Sequence, residues 1–195
     1  MKKIAITGNI ASGKSTVEKI LKEKGYKVLD ADLSCHNAMS ENKNIINQIK
    51  NIFAKYDIVD LNGNIDRNKV GQIVFSNKKL KKELEKILHA YVKNELEIFF
   101  NKNASEDIVF ASIPLLFEAN MQNDYDKIIL IFADNDLRLK RLISRNNFNE
   151  EYAKKRINAQ IKQEDKINKS DFILYNNNDL NSLENEIEKI LKLLH

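Results

Sequence analysis

Gly8-Asn9-Ile10-Ala11-Ser12-Gly13-Lys14-Ser15 spells GxxxxGK[ST]. The pattern constrains the fold because it works in one setting: the end of a buried strand, a tight glycine loop, then the start of a helix. Both flanks agree. Ile4-Ala5-Ile6-Thr7 is a short apolar run of the kind that forms a buried parallel strand. Val17, Ile20, Leu21 and Lys24 place apolar side chains at helical spacing with a charged flank. In such a loop, backbone N–H groups from Asn9 through Thr16 point at phosphate oxygens. Lys14 neutralises the β- and γ-phosphates, and the Ser15 hydroxyl is the expected Mg²⁺ ligand. Gly8 and Gly13 stand where backbone must approach phosphate closely. The expected donor is therefore a nucleoside triphosphate with its metal.

Four more strand signals follow: Lys27–Asp30, Ile108–Ala111, Ile128–Phe132 and Phe172–Tyr175. Helical segments separate them, which predicts an α/β fold: a five-stranded parallel sheet with helices on both faces. Leu183, Ile187, Ile190, Leu191 and Leu194 mark an amphipathic closing helix. The interval 34–106 carries no convincing strand. Ile45, Ile46, Ile49, Ile52 and Phe53 predict one helix there, and Leu80, Leu84, Ile87, Leu88, Tyr91 and Val92 a longer one, with a turn at Leu61–Asn64. The expected organisation is a nucleotide-binding core of 1–33 and 107–195, a helical acceptor-binding insertion of 34–106, and a lid of 138–166 within the core. The lid interval contains Arg138, Arg141, Arg145, Lys154, Lys155 and Arg156. These read either as an ordinary charged helix pair or as a lid bringing positive charge onto transferring phosphates.

The bulk numbers narrow the class. The 195 residues are enough for one domain with small insertions. The net charge of +4 suits a polyanionic small molecule, and no dense basic run with interleaved aromatics points to nucleic acid. Cys35 is the single cysteine, so a disulfide framework within the chain is excluded and a reducing compartment fits. No stretch resembles a signal h-region or a membrane span. A cytoplasmic monomer acting on small molecules, without membrane or nucleic-acid partners, is the expectation.

Phosphoryl transfer needs positioning and charge neutralisation more than covalent chemistry. Asp30-Ala31-Asp32 is expected at the C-terminal end of the second strand, in the crevice where such sheets bind ligands. Asp32, or Asp30 in its place, is the candidate to accept a hydroxyl proton or to hold Mg²⁺ through water. The plainer reading is a helix N-cap. Arg141 and Arg145 are four apart, so they share a helix face and can reach phosphates together.

Several segments resemble the dephospho-coenzyme A kinase family over most of the chain. They are the loop Ile6 through Thr16, Asp30-Ala31-Asp32, Ile113-Pro114-Leu115-Leu116-Phe117-Glu118, Arg141–Arg145, Arg156-Ile157-Asn158-Ala159-Gln160, Lys166, and Asp171–Asn176. The loop is shared by many families; the Pro-Leu-Leu-Phe-Glu and Arg-Ile-x-Ala-Gln segments are more specific. The resemblance implies a P-loop NTPase fold and ATP-dependent phosphorylation of the ribose 3′-hydroxyl of dephospho-coenzyme A. It implies Asp32 as base, with Lys14 and Arg141 also in the catalytic set. Arg145 and Asn176 fall to ATP, and His89, Pro114, Leu115 and Phe117 to the acceptor side. The chain departs from the family pattern at Asn9 and Ala11, where glycines are common, and at Ser112, where Asp is common. The family's His-Pro-x-Val-Arg is here His89-Ala90-Tyr91-Val92-Lys93. Lysine cannot repeat arginine's bidentate phosphate contact. His89 itself has two readings, an acceptor contact or a residue packed between helices.

Three rivals are weighed against this. Asp60-Leu61-Asn62-Gly63 and Asn168-Lys169-Ser170-Asp171 match the DxxG and NKxD motifs of regulatory GTPases. The guanine-reading motif belongs after a buried strand, whereas here the strand follows it. A nucleoside monophosphate kinase-like enzyme with another acceptor is the runner-up. A nucleotide-binding module without catalysis is disfavoured by Asp32 and the lid arginines.

Overall fold

A computed structural model describes residues 1–195. Fourteen main elements follow one another: β1 (Lys2–Gly8), α1 (Lys14–Glu23), β2 (Lys27–Asp30), α2 (Ala31–Glu41), α3 (Lys43–Ile52), α4 (Arg67–Ser76), α5 (Lys78–Lys102), β3 (Ile108–Ser112), β4 (Lys127–Phe132), α6 (Asn135–Asn146), α7 (Glu150–Asn158), α8 (Glu164–Ile167), β5 (Phe172–Tyr175) and α9 (Leu180–Leu194). All five expected strands form, and they form one parallel sheet in the order β2-β3-β1-β4-β5.

Burial explains the order. Ile4, Ala5, Ile6, Phe110, Ala111, Leu130 and Ile131 are fully shielded from solvent. Consecutive strand residues point to opposite faces, so both faces of the central strands are covered. One face packs Ile4, Ile6, Ile108, Phe110, Ile129 and Ile131 against Val17, Ile20 and Leu21 of α1 and Leu183, Ile187 and Leu194 of α9. β1 lies at the centre, with β2 and β3 on one side and β4 and β5 on the other. In such sheets ligands bind beyond the C-terminal strand ends, where connections leave in opposite directions. The Gly8–Ser15 loop leaves β1 at that edge.

The chain divides into two compact units, Met1–Asp30 with Lys102–His195, and Ala31–Asn101. The first holds the sheet. The second has its own core of Ala38, Ile45, Ile49, Phe53, Ile58, Ile65, Val70 and Leu84. It contains α2 to α4 and nearly all of α5, four helices where the periodicity predicts two. The two unforeseen helices bury little: Ala31 and Ala38 in α2, and Val70 alone in α4. The start of α4 is legible instead in its cap, Asp66, whose carboxylate accepts the N–H groups of Asn68 and Lys69. The turn at 60–64 forms as expected. Asp60 accepts from the N–H groups of Asn62 and Asn64, both at 2.9 Å, and a short antiparallel bridge joins Val59 to Ile65. No helix is long and apolar enough to cross a membrane.

Candidate active site

The loop is held from three distant places. The Asn176 side-chain amide, just past β5, donates to the Ser12 carbonyl at 2.8 Å. The Gln160 side chain, just past α7, accepts the Ile10 N–H at 2.8 Å, and Asn9 donates to the Ile161 carbonyl at 2.8 Å. Arg138 of α6 donates from Nε to the Ile10 carbonyl at 3.0 Å and from Nη1 to Asn135 at 2.9 Å. The Ile10 N–H is thereby committed to Gln160. Lys14 and Ser15, as the first residues of α1, have no helical carbonyl to donate to, so their N–H groups suit an anion.

Two loop residues show why backbone shape matters. Gly13 has φ 96°, and a Cβ there would sit 1.9 Å from the Asn176 amide nitrogen. Ala11 adopts φ 62°, a left-handed conformation unfavourable for alanine by about 1–2 kcal/mol. Ala11→Gly removes that strain against a smaller unfolded-chain entropy loss of about 0.4–1 kcal/mol. The melting temperature is expected to rise by about 2 °C in thermal denaturation. An unchanged or lower value would contradict the strain.

A cleft of about 320 Å³ opens over the loop, lined among others by Gly13, Ser15, Thr16, Arg141, Arg145 and Asn176. Predicted residues from the loop, α6 and the segment after β5 therefore meet in one place. One buried polar side-chain atom of the cleft lining has no partner in the protein, Arg141 Nη1. Unpaired buried donors of this kind suit an anionic oxygen. Ser15 is exposed at the loop's edge.

The basic residues of the expected lid separate into distinct roles. Arg141 and Arg145 line the cleft. Arg138 is 1% exposed and braces the loop instead; burial lowers its pKa, and Glu164 opposes that shift. Lys154 and Lys155 pair with Glu150 and Glu151 one turn earlier on their own helix.

Asp32 is not on the strand. β2 ends at Asp30, and Asp32 is an exposed residue in the first turn of α2. The position ahead of the helix thus falls to Asp30, because the strand and helix abut with no loop between them. Asp30 is paired in register with Ser112 of β3. Of the residues expected on the acceptor side, Leu115 is 41% exposed and Phe117 only 7%. Pro114 is half-buried, and its carbonyl accepts from Thr7. His89 is exposed on α5, which removes its reading as a residue packed between helices.

Sequence reasoning missed Glu18. It is 5% exposed, and its Oε1 lies 2.7 Å from Lys14 Nζ and 2.5 Å from Ser112 Oγ. The available signal was a carboxylate beside Val17 and one turn before Leu21, on the inward face of α1. Carboxylates are almost never fully buried unless paired. The second buried pair joins Lys166 of α8, 0% exposed, to Glu118 at 2.9 Å. The GTPase motifs fail on geometry. Asp171 accepts from Lys127 and from the Ile128 N–H, at the N-terminal ends of β4 and β5, the sheet edge opposite the loop.

The dephospho-CoA kinase family model matches residues 2–182. The chain belongs to that family. It is 40% identical to a dephospho-CoA kinase of Fusobacterium nucleatum over 191 residues, covering 98% of this chain and 97% of the relative. A dephospho-CoA kinase of Listeria innocua is 36% identical, covering 95% and 94%. Among solved structures, dephospho-CoA kinase from Campylobacter jejuni superposes with a TM-score of 0.71 at 33% identity, covering 97% of this chain and 95% of that one. TT1252 from Thermus thermophilus superposes with a TM-score of 0.87 at 32% identity, covering 100% and 98%. A shikimate kinase from Bacteroides thetaiotaomicron, at 14% identity and a TM-score of 0.53, shares the fold, that of the P-loop kinases. Like its family, the chain is a kinase. Three residues from the segments that carried the resemblance have defined partners. Gln160 holds the loop, Asn176 holds the loop, and Lys166 pairs with Glu118.

Proposed function

We propose that this dephospho-CoA kinase family member transfers the γ-phosphoryl group of ATP to the ribose 3′-hydroxyl of dephospho-CoA, giving CoA and ADP, the last step of CoA synthesis. The observation that carries this reading is the convergence of Ser15, Arg141, Arg145 and Asn176 on one cleft over the glycine loop. The main-chain N–H groups at the head of α1 hold the phosphates, and Lys14 and Arg141 carry positive charge to the transferring group. Asn176 and Arg145 bound the nucleotide. Asp32 takes the proton from the acceptor hydroxyl; two residues of chain tether it within about 7 Å of Asp30. Residues 34–106, with His89, take the acceptor together with Pro114, Leu115 and Phe117, and residues 138–166 act as the lid.

Mg²⁺ fits the donors present. Ser15 supplies an exposed hydroxyl oxygen and Asp30 a carboxylate, and Mg²⁺ needs only one or two protein oxygens beside its waters. Bound Mg²⁺ neutralises charge on the β- and γ-phosphates. A cytoplasmic setting fits a chain whose single cysteine is Cys35. One chain carries every donor-cleft residue named, as a monomer requires.

The test is incubation with Mg-ATP and a panel of acceptors, with products identified by mass. Dephospho-CoA is expected to gain one phosphoryl group; a nucleoside monophosphate as the only acceptor would overturn the assignment. ATP is expected to give a higher kcat/KM than GTP, because the Asn168–Asp171 motif lies at the wrong sheet edge to read guanine. Arg141→Ala and Arg145→Ala are each expected to lower kcat/KM about tenfold or more with little change in melting temperature. Arg138→Ala is expected to lower stability by about 1 kcal/mol, because it orphans the Ile10 carbonyl in a half-buried site. Thermal melts and steady-state rates on all three separate the roles. Unstable Arg141 and Arg145 variants with normal activity per folded molecule would make those arginines structural.

A further inference from the structure

Lys14, Glu18 and Ser112 close a triangle. Lys14 Nζ lies 2.7 Å from Glu18 Oε1 and 2.7 Å from Ser112 Oγ, and the Ser112 hydroxyl donates to Glu18 Oε1 at 2.5 Å. Ser112 is fully shielded and the Glu18 side chain is 6% exposed. Glu18 stands one turn beyond Lys14 on the same helix face. Ser112 ends β3, in register with Ile6 of β1 and Asp30 of β2. The seat is therefore built from α1 and the sheet's C-terminal edge, both rigid.

A buried ion pair is a poor source of stability, since desolvation offsets most of the attraction. A phosphate-binding lysine also gains no affinity from a carboxylate at its side, because that carboxylate repels phosphate. The arrangement makes sense as control of position. An ammonium on a flexible four-carbon stem samples many places. It has three protons, and here two are fixed by Oε1 and Oγ, leaving one for a phosphate oxygen. We propose that Glu18, acting with Ser112, is a positioning residue for Lys14: it aims the third N–H at the transferring phosphoryl group and gives up ground-state nucleotide affinity in doing so. This rests on the kinase reading above.

The signature is a pair of opposite changes. Glu18→Gln removes a negative charge beside the phosphates, so metal-free ADP is expected to bind about tenfold more tightly by calorimetry. The same variant loses the aim of Lys14, so kcat is expected to fall about ten- to a hundredfold. A role confined to holding the fold together would weaken binding and rate together. Moving the carboxylate across the triangle, in Glu18→Ala with Ser112→Asp, is expected to return ADP affinity to within about threefold of wild type and to recover most of kcat. Glu18→Gln with ADP affinity and kcat both within twofold of wild type would overturn the proposal. Should Glu18→Gln fail to fold, the moved-carboxylate variant decides: folded and active supports the proposal, folded with kcat still down a hundredfold overturns it. Wild-type protein that binds no ADP would bring down the kinase reading itself, whereas normal wild-type binding with an indifferent Glu18→Gln brings down this inference alone.

Discussion

Lys14→Ala is expected to lower kcat/KM by about a hundred- to a thousandfold and, in the same molecule, to lower stability by about 3 kcal/mol. The rate effect is the loss of one charge contact to the transferring group. The stability effect comes from Glu18. With Lys14 gone, a carboxylate only 6% exposed keeps the Ser112 hydroxyl as its partner and loses its counter-charge. Removing one member of a buried pair is far more damaging than never having had the pair. For a chain of this length the loss corresponds to a melting temperature lower by about 6–12 °C. Lys14→Ala combined with Glu18→Ala is expected to recover most of that stability and none of the rate. Thermal melts and steady-state kinetics on the single and double variants check both halves. A Lys14→Ala protein that melts like wild type would mean that water reaches Glu18. One within threefold of wild-type activity would remove Lys14 from the site.

Asp32→Asn is expected to lower kcat by about a hundred- to ten-thousandfold, the range typical of a lost general base, while leaving ATP affinity nearly unchanged. Asparagine keeps a hydrogen bond to the acceptor hydroxyl but cannot take its proton. The proposed ATP cleft is lined by Gly13, Ser15, Arg141 and Asn176. Asp30→Asn makes the informative comparison. Asp30 is a strand residue beside Ser112, next to the Lys14 seat. Its loss is expected to raise the Mg²⁺ concentration needed for half-maximal rate more than it lowers kcat at saturating metal. If Asp30→Asn abolishes turnover while Asp32→Asn phosphorylates dephospho-CoA normally, the base belongs to Asp30.

The sheet was legible because each strand is a compact apolar run with nothing else to be. Lys27–Asp30 and Phe172–Tyr175 match to the residue, and the other three strands run slightly longer. The loop, Arg141, Arg145 and Asn176 were legible because a motif or a resemblance names residue types whose chemistry is specific. Helices α2 and α4 were hidden because they bury almost nothing, so no periodicity records them. Arg138 and Arg141 are indistinguishable as letters, three apart on one amphipathic helix. Only the packing of α6 decides that one supports the loop from beneath while the other lines its mouth. Glu18 was hidden for a related reason: a glutamate on a helix reads as solvated until the sheet beneath it is in place. Asp32 was expected at the strand's end, and its place in the first turn of α2 was hidden because no loop residue separates β2 from α2.

The glycine loop is synthesised before the residues whose bonds shape it, Arg138, Gln160 and Asn176. Its strand must also wait for partners at Ile108 and Lys127. At about 5–20 residues per second, the ribosome adds Asn176 roughly 8–32 s after Lys14. During that interval the nascent chain carries the whole phosphate motif with its scaffold incomplete. Nucleotide therefore cannot template early folding of this domain. It is expected to bind only a chain whose last strand has arrived, so nucleotide-dependent protection from protease on stalled ribosomes should switch on only when the segment after β5 has left the exit tunnel.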